Sequence, residues 1–243
     1  MVGAEQPIYN NKNSNALTIF IDNSDLDLEI NVQDMCSAKA MSKDGFAHLW
    51  AGVRATYGAA KGKVCYEVTV TNNQPTQHLE NEPNPHVLRC GWSVDSTSLV
   101  LGTEALSYGY GGTGKISVSG KFISYGVRYG FKDVVGCYLD MTTDPMMISY
   151  TVNGRNLGVA FRISKAELKG QALFPHIFTK NQDFLVNFGQ LSEPMCPLLP
   201  NYTPIGQLEA ADGLVRGTRA PQTKNDCEFI QMVGLPGNYV FKL

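Results

Sequence analysis

The chain has 243 residues, enough for one large domain with a sizeable core, and its net charge is −2, from 20 basic and 22 acidic residues. Because sequence-independent affinity for nucleic acid comes mainly from Lys and Arg, this balance excludes a globally cationic nucleic-acid binder but leaves room for a local basic patch. Residues 1–15 are polar and lack the apolar stretch of a signal peptide. No apolar run approaches the roughly 18 residues of a membrane span, so no membrane association is expected.

Composition favours an all-β class. Only 17% of the residues are charged, while 24 Gly, 11 Tyr and 11 Phe suit short strands joined by turns. The cysteines form neither a CxxC pair nor a cluster with histidine at zinc-ligand spacing: Cys36, Cys65, Cys90, Cys137, Cys196 and Cys227. We therefore predict reduced structural thiols, with no metal site and no cofactor.

Alternating apolar residues predict several strands in chain order. Leu26, Leu28 and Ile30, with acidic residues between them, predict a strand with one solvent-facing side. The same period of two recurs over 64–70, 148–152 and 184–188. Such regular strand and turn spacing over residues 17–190 predicts a β-sandwich of two antiparallel sheets.

Local turn and helix signals lie between these runs. Asn153-Gly154 and Ser119-Gly120 predict two hairpins, because both positions of such a turn need residues that tolerate positive φ. A short helix is predicted over residues 164–169, where Ser164 and Glu167 have the spacing of a capping box and Gly170 follows.

The pattern changes after residue 192. Residues 193–225 are rich in proline and lack periodicity, which predicts a linker after a domain at 16–192, while residues 1–15 are expected to be disordered. Residues 229–233 predict an unpartnered strand, and Gly234 and Gly237 then begin a phosphate-loop pattern. Val240 and Phe241 hold the places of the Lys and Ser/Thr that such a loop needs, so ATP binding is not expected.

An ordered series of short motifs covers about three-quarters of the chain. It consists of GKVCYEV at 62–68, RCGWS at 89–93, SYGY at 107–110, Asn153-Gly154 with LGVAF at 157–161, LFP at 173–175 and NFG at 187–189. The series resembles SPRY (B30.2-like) domains. The resemblance implies a bent β-sandwich that serves as a protein-interaction module rather than an enzyme.

Two longer segments narrow the resemblance. Residues 46–58 and 157–165 are similar to the SPRY domains of the heterogeneous nuclear ribonucleoprotein U family, in which a polynucleotide-kinase-like P-loop domain follows. Residues 226–243 would then be a truncated start of that domain. The resemblance implies a nuclear protein of ribonucleoprotein assembly or RNA processing. The family's N-terminal SAP helix pair and Arg-Gly-Gly-rich tail have no counterpart here. This absence and the near-neutral charge count against direct RNA binding, which stays an alternative, and nucleotide-dependent activity would need a longer form.

No histidine has the partner spacing of a catalytic triad or a metal site, so no catalytic residue is predicted. His176, after Phe174-Pro175, is expected to be a polar residue at a strand end. Trp50, Trp92, Tyr108 and Tyr110 could form an aromatic recognition surface, but Trp92 is expected in the core. For Tyr108 and Tyr110, which share one face and flank Gly109, packing is the alternative.

The candidate partner-binding residues are Arg54, Tyr57, His78, His86 and Arg89. Arg54 is expected in a glycine-flanked turn and Arg89 at a strand start, and the resemblance implies that two such arginines line a basic pocket for an acidic or phosphorylated peptide. The alternative is that each arginine makes an internal salt bridge. His78 and His86 lie in loop 71–87, which is long for a hairpin connection, as binding loops often are. A monomer is expected.

Overall fold

The computed structural model describes residues 18–218 and the backbone of residues 230–231 and 240–241, apart from the side chains of residues 19–22 and 44. The predicted disordered segment 1–15 and the phosphate-loop remnant at Gly234 and Gly237 lie outside the described residues. Within the described part, no helix has the length and apolar character needed to cross a membrane.

Two large sheets contain most of the strands, numbered here in chain order. The first has seven strands in the spatial order Ile19–Ser24 (β1), Ala51–Ala55 (β4), Phe174–Lys180 (β14), Val87–Ser93 (β7), Ser107–Gly111 (β8), Lys115–Val118 (β9) and Lys121–Ser124 (β10). The second has the order Arg155–Ile163 (β13), Met146–Val152 (β12), Val134–Asp140 (β11), Lys63–Asn73 (β6), Gln182–Asn187 (β15), Ser37–Ala40 (β3) and Leu28–Ile30 (β2), with Thr203–Pro204 (β16) parallel to β6.

Smaller elements complete the fold. Tyr57–Ala59 (β5) pairs with Leu214–Arg216 (β17), and Ile230–Gln231 (β18) pairs with Val240–Phe241 (β19). The described helical segments are Lys165–Leu168 (α1) and the 3₁₀ turns Asp44–His48, Ile205–Gln207 and Ala210–Asp212. The prediction of an all-β sandwich of two antiparallel sheets is confirmed. The strand at 229–233, expected to have no partner, does pair over residues 230–231.

The core fills the space between the two sheets, and Tyr66 joins them. Its ring packs edge-on against Trp92 of the first sheet, with 5.1 Å between ring centroids. Its hydroxyl donates to the Gly91 carbonyl at 2.7 Å and accepts from the Gly91 N–H at 2.9 Å. Trp92 is fully buried, as expected, and Tyr110 packs against Tyr150 of the opposite sheet. A hydroxyl of one sheet thus satisfies main-chain groups of the other, which fixes their relative position.

Most of the local predictions in the middle of the chain are confirmed. The alternating apolar residues of β6 and β12 are buried in the core. Positive φ occurs at both positions of the two hairpin turns, Asn153-Gly154 and Ser119-Gly120. The predicted short helix is present as α1, but without the capping box: the Ser164 hydroxyl accepts from the Ala166 N–H rather than from that of Glu167. The helix ends at Leu168, and Lys169 adopts the left-handed conformation before Gly170.

The strand predicted from Leu26 to Ile30 is wrong at its start. Leu26 is 67% exposed, Asp27 is only 6% exposed, and β2 begins at Leu28. Asp25 causes this change, because its carboxylate accepts from the Gly52 N–H at 2.7 Å and its own N–H donates to the Gly52 carbonyl at 2.9 Å. These bonds hold residues 25–28 in a turn against β4, so the alternation does not continue through them.

The segment predicted as a linker packs against the sandwich as far as Thr218. The buried Glu67 carboxylate accepts from the main-chain N–H groups of Met195 and Cys196, both at 2.8 Å. Ile205 is fully buried in the core, and β17 pairs with β5. The expected domain end at residue 192 is therefore not where the packed structure ends. Proline and the absence of periodicity hid this segment, because its contacts are to distant residues.

This packing predicts the consequence of shortening the chain. A chain ending after residue 192 loses the burial of Ile205 and leaves the Glu67 carboxylate without its two main-chain donors, so it should unfold at a denaturant concentration well below that of a chain ending after 218. The expected loss exceeds about 3 kcal/mol, from one large buried side chain and two charge-assisted hydrogen bonds. Equilibrium urea unfolding measures this difference in the free energy of unfolding. Equal stability of the two chains would contradict the conclusion that residues 193–218 belong to the packed structure.

Asp27 generates a second prediction. Burial, reinforced by the charge of Asp25, raises the pKa of Asp27 to about 6. The folded state therefore holds this proton more tightly than the unfolded state, and stability falls as pH rises from about 4 through 6. Asp27→Asn should stabilise the protein at pH 7 by up to about 3 kcal/mol, and this gain should shrink towards pH 4.

Urea unfolding of the Asp27→Asn variant and the wild type between pH 4 and 7 measures this difference. Glu29→Gln, at an exposed position of the neighbouring strand β2, is the matched control and should change stability by less than about 0.5 kcal/mol. A gain from Asp27→Asn that does not depend on pH would contradict the assignment to ionisation.

Candidate functional site

Arg54 lies inside strand β4 rather than in the expected turn, and its side chain is 0% exposed. Its Nε donates to the Ser93 hydroxyl at 2.9 Å, and its Nη2 donates to the carbonyls of Thr97 and Ser98 at 2.9 and 3.0 Å. Its Nη1 reaches the Asp95 carbonyl at 3.2 Å. Because every nitrogen of the guanidinium is bonded inside the protein, Arg54 is not accessible to a docking partner.

His176 continues this buried network. It lies in the middle of β14, not at a strand end, and it is fully buried. Its Nε2 lies 3.1 Å from the Leu99 carbonyl, which can only accept, so this nitrogen carries a proton. Its Nδ1 lies 2.8 Å from the Ser93 hydroxyl. Arg54, Ser93 and His176 thus form one chain of hydrogen bonds.

The network fastens residues 94–106 over one half of the outer face of the first sheet. Glycines make this close contact feasible: a Cβ at Gly52 would collide with the Leu99 carbonyl, and a Cβ at Gly109 would lie 3.0 Å from the Leu101 side chain. The covered half contains Arg54 and His176. The other half of the same face contains Arg89, which is half-buried, beside the buried Phe178 and Lys180 and the exposed Phe122.

Arg89 lies on β7, half-buried, among aromatic rings. Its guanidinium carbon is 4.8 Å from the ring centroid of Trp50, 4.7 Å from that of Phe122 and 5.9 Å from that of Phe178. The side chain reaches Phe122 by crossing Gly111, where an added Cβ would be only 3.1 Å from Arg89 Cγ. Trp50 and Phe178 stack on each other at 4.8 Å. Such contacts hold the guanidinium in place through cation–π attraction.

No hydrogen bond or ion pair joins the Arg89 guanidinium to any side chain or carbonyl that the structure describes. Burial lowers the pKa of Arg89, which nonetheless stays charged. A half-buried guanidinium held by rings keeps its planar set of N–H donors for an external acceptor. We name the residues Trp50, Arg89, Phe122, Phe178 and Lys180 the Arg89 surface.

Lys180 brings a second positive charge to the Arg89 surface. Its Nζ is 5.4 Å from the Trp50 ring centroid and 3.2 Å from a carboxylate oxygen of Glu82. Burial opposes ionisation of Glu82, but hydrogen bonds from the Asn84 N–H and Lys180 outweigh it and lower the pKa of that carboxyl. A carboxylate of the chain itself is therefore stable as an anion at this surface.

The other predicted partner-binding residues are spread over two places. His78 is exposed in the loop between β6 and β7, and His86 is half-buried at the end of that loop, with Nε2 2.7 Å from the Gln74 carbonyl. Asn84 of the same loop accepts from Arg128 at 3.2 Å. Tyr57 is instead on β5, packed against the core and paired with Arg216. The structure therefore does not bring the five residues together, nor Arg54 and Arg89 into one pocket.

The described residues include no group of three or more His, Cys, Asp or Glu side chains that could hold a metal ion. Cys36, Cys65, Cys90 and Cys137 are buried thiols without disulfide partners, and Cys196 is partly buried. Burial raises the pKa of Cys36 and of Cys65 to about 12, which suppresses the reactive thiolate. Cys227 lies outside the described residues.

Sequence reasoning missed Phe122, Phe178 and Lys180, although it identified Trp50 and Arg89. A signal for Phe122 was present: β10 is a short strand after a two-residue turn, and its adjacent Phe122 and Ile123 must point to opposite faces. One of the two therefore has to leave the core. Phe178 and Lys180 carried no such signal, because their strand β14 is apolar along most of its length.

The two-sheet sandwich defines a class of protein. The family model described as "SPRY domain" matches residues 63–191, and the chain belongs to the SPRY family. Over 215 residues the chain is 40% identical to heterogeneous nuclear ribonucleoprotein U-like protein 2 of Mus musculus and of Homo sapiens, which covers 88% of this chain and 28% of each relative. The chain thus spans little more than a quarter of these relatives.

Other comparisons agree with this family. The chain is 36% identical over 168 residues to the ATP-dependent RNA helicase DDX1 of Xenopus laevis, covering 67% of this chain and 21% of the relative. A human SPRY domain crystal structure superposes with a TM-score of 0.50, covering 68% of this chain and 96% of that one. The SPRY domain of human HERC1 gives 0.53, covering 70% and 96%. Both solved structures are 14% identical to this chain, so they support the fold alone.

The buried Arg54 network predicts a large loss of stability when this arginine is removed. Arg54→Ala leaves the carbonyls of residues 95, 97 and 98 and the Ser93 hydroxyl without their buried donor, so the free energy of unfolding should fall by more than about 3 kcal/mol, or the protein should fail to fold. Arg162→Ala, at an exposed position of β13, is the control and should change it by less than about 0.5 kcal/mol. Urea unfolding measures both, and near-normal stability of Arg54→Ala would contradict a structural role.

Proposed function

We propose that this SPRY domain is a protein-interaction module, without catalysis of its own, that docks an acidic or phosphorylated peptide at the Arg89 surface. One observation carries the proposal: the Arg89 guanidinium is half-buried between Trp50 and Phe122 and has no acceptor among the described residues. Burying a charged donor without an acceptor is costly, so a site of this kind gains most from a ligand that supplies one.

The local charge supports an anionic ligand although the whole chain is nearly neutral. Arg89 and Lys180 lie at the Arg89 surface, and Arg128 borders it through Asn84. Glu82 forms an ion pair with Lys180, with 3.2 Å between the two charged groups. An incoming carboxylate or phosphate can bond the planar guanidinium through two parallel N–H donors and displace Glu82 from Lys180.

Direct RNA binding fits the surface less well. A base would have to stack on Trp50 or Phe122, and the Arg89 guanidinium already lies 4.8 and 4.7 Å from the centroids of these rings. The net charge of −2 also offers little sequence-independent affinity for phosphates. A peptide anion, by contrast, needs only the edge of the guanidinium and leaves the stacked arrangement intact.

The names of the relatives support a setting for this docking. Heterogeneous nuclear ribonucleoprotein U-like protein 2 and an RNA helicase both contain a segment similar to this chain. We therefore place the module in the nucleus, as a monomer that recruits acidic or phosphorylated partners during ribonucleoprotein assembly or RNA processing. His78 and His86, on the loop that also carries Glu82, would form the rim of the surface, whereas Arg54 and Tyr57 would not contact the partner.

A peptide library with one varied position at a time tests the proposal. Glutamate, aspartate and phosphoserine should be enriched over neutral and basic residues among peptides that the chain retains. Arg89→Ala should lower the affinity for the enriched peptides at least tenfold, since one charge-assisted bidentate contact contributes about 1.5–3 kcal/mol. Fluorescence anisotropy of labelled peptides measures the affinity.

Three further variants sharpen this test. Arg162→Ala removes an exposed arginine outside the surface and should leave affinity unchanged. Gly111→Ala keeps Arg89 but crowds its Cγ, so it should weaken binding less than Arg89→Ala does. Arg89→Lys keeps the charge without the planar donors, so its affinity for the peptides should lie between those of the Gly111→Ala and Arg89→Ala variants. Enrichment of basic or neutral peptides, or RNA binding of similar strength that is lost in Arg89→Ala, would overturn the peptide proposal.

A further inference from the structure

Lys180 is a buried cation that the chain itself neutralises with a single carboxylate. Its side chain is 7% exposed, and its Nζ lies 3.2 Å from a carboxylate oxygen of Glu82, in the loop between β6 and β7. Among the described residues no other carboxylate forms an ion pair with Lys180. A buried ammonium without a counter-charge is costly. The position next to Lys180 is therefore one that an anion has to fill.

The same ion pair fastens the tip of the loop, residues 77–83. Within the described part of the chain, no other hydrogen bond or ion pair joins this tip to a strand of either sheet. The base of the loop is held separately, because His86 Nε2 lies 2.7 Å from the Gln74 carbonyl. The bond between Glu82 and Lys180 is thus the polar attachment of the tip, and it can break while the base stays in place.

Lys180 and Arg89 lie on one face of the first sheet, close to the same ring. Phe178 is directly opposite Arg89, and Lys180 is two residues further along the same strand. The Arg89 guanidinium carbon is 4.8 Å and the Lys180 Nζ is 5.4 Å from the ring centroid of Trp50, so at most about twice that distance separates the two charges. Alternate side chains of an extended peptide point to the same side about 7 Å apart. Two such side chains can reach both cations.

Building on the proposed docking at Arg89, we propose that Lys180 is a second anion subsite, which Glu82 occupies in the free chain. The ligand is then an extended peptide with anionic side chains on alternate residues, one bound to Arg89 and the other to Lys180. Glu82 acts as an internal competitor. A peptide with a single anionic side chain binds at Arg89 and leaves the loop in place, whereas a peptide with two has to displace Glu82 from Lys180.

The experiment changes Glu82 rather than the buried Lys180, whose replacement would alter folding. Glu82→Gln removes the competitor, and Glu80→Gln, at an exposed position of the same loop without an ion pair, removes the same charge as the matched control. The probe is a seven-residue peptide of glycine and serine, blocked at both ends, with glutamate at its third and fifth positions. Two singly acidic forms have glutamine in place of one glutamate or the other.

Fluorescence anisotropy of the labelled peptides measures the affinity. Glu82→Gln should raise the affinity for the doubly acidic peptide about fivefold, because the ligand no longer competes with a bound carboxylate. The same variant should change the affinity for the singly acidic peptides no more than Glu80→Gln does. An equal gain with singly and doubly acidic peptides would show that the surface has one anion subsite and would overturn the proposal.

NMR relaxation of the backbone nitrogens gives a readout that needs no ligand. The heteronuclear NOE of residues 79–82 should fall in free Glu82→Gln, since the polar attachment of the tip is lost, and should stay as in the wild type in Glu80→Gln. Adding the doubly acidic peptide to the wild type should lower the same values. An unchanged NOE in Glu82→Gln would contradict the role of Glu82 as the residue that holds the tip on Lys180.

The outcomes separate this inference from the proposed function. If Arg89→Ala weakens binding but Glu82→Gln and Glu80→Gln behave alike, docking at Arg89 stands and the second subsite is wrong. If Arg89→Ala has no effect while Glu82→Gln selectively favours the doubly acidic peptide, the Lys180 subsite stands and Arg89 is not the anion receptor. No measurable binding of the doubly acidic peptide would overturn both. Tighter binding of a seven-nucleotide oligouridylate than of this peptide would assign the two cations to nucleic acid and overturn the choice of a peptide.

Discussion

A guanidinium can be buried in a protein only if acceptors surround it, and the architecture of this domain follows from that requirement at Arg54. The acceptors come mostly from one connection, residues 93–98, which has to lie flat against the sheet to present its carbonyls. That position brings Leu99 and Leu101 over glycines of β4 and β8. The Arg54 side chain thus determines which half of the outer face residues 94–106 cover.

Arg89 shows the other way in which a sheet can hold a guanidinium. It lies on the same face as Arg54, but rings rather than oxygen atoms surround it. Rings attract the charge and restrict its movement without using its N–H groups, whereas carbonyls use them up. Two arginines that look equivalent in sequence therefore differ in their hydrogen bonding. The N–H groups of Arg54 hold a loop, whereas those of Arg89 have no acceptor among the described residues.

Local patterns predicted the parts of the fold that depend on neighbouring residues. The alternation in β6 and the positive φ of Asn153-Gly154 are properties of a few consecutive residues, and both predictions are confirmed. The failures involve distant partners. Asp25 bonds to Gly52 and so removes Leu26 from a strand, Glu67 captures the main chain of Met195, and the acceptors of Arg54 lie about forty residues away. The motif series identified the family, but only the three-dimensional contacts distinguish Arg54, whose guanidinium is fully bonded inside the protein, from Arg89, which is half-buried among aromatic rings.

The path of the segment after residue 192 has a mechanical consequence. Thr218 donates from its N–H and its hydroxyl to the Asp95 carboxylate at 2.8 and 3.0 Å, and the carbonyl of the same Asp95 accepts from Arg54. Thr218, the last residue of the continuous described segment, is therefore bonded to the same connection that Arg54 holds in place. A force applied to the chain at Thr218 would therefore act on residues 94–106 before it acted on the core strands. Tension would first displace the connection that covers one half of the outer face.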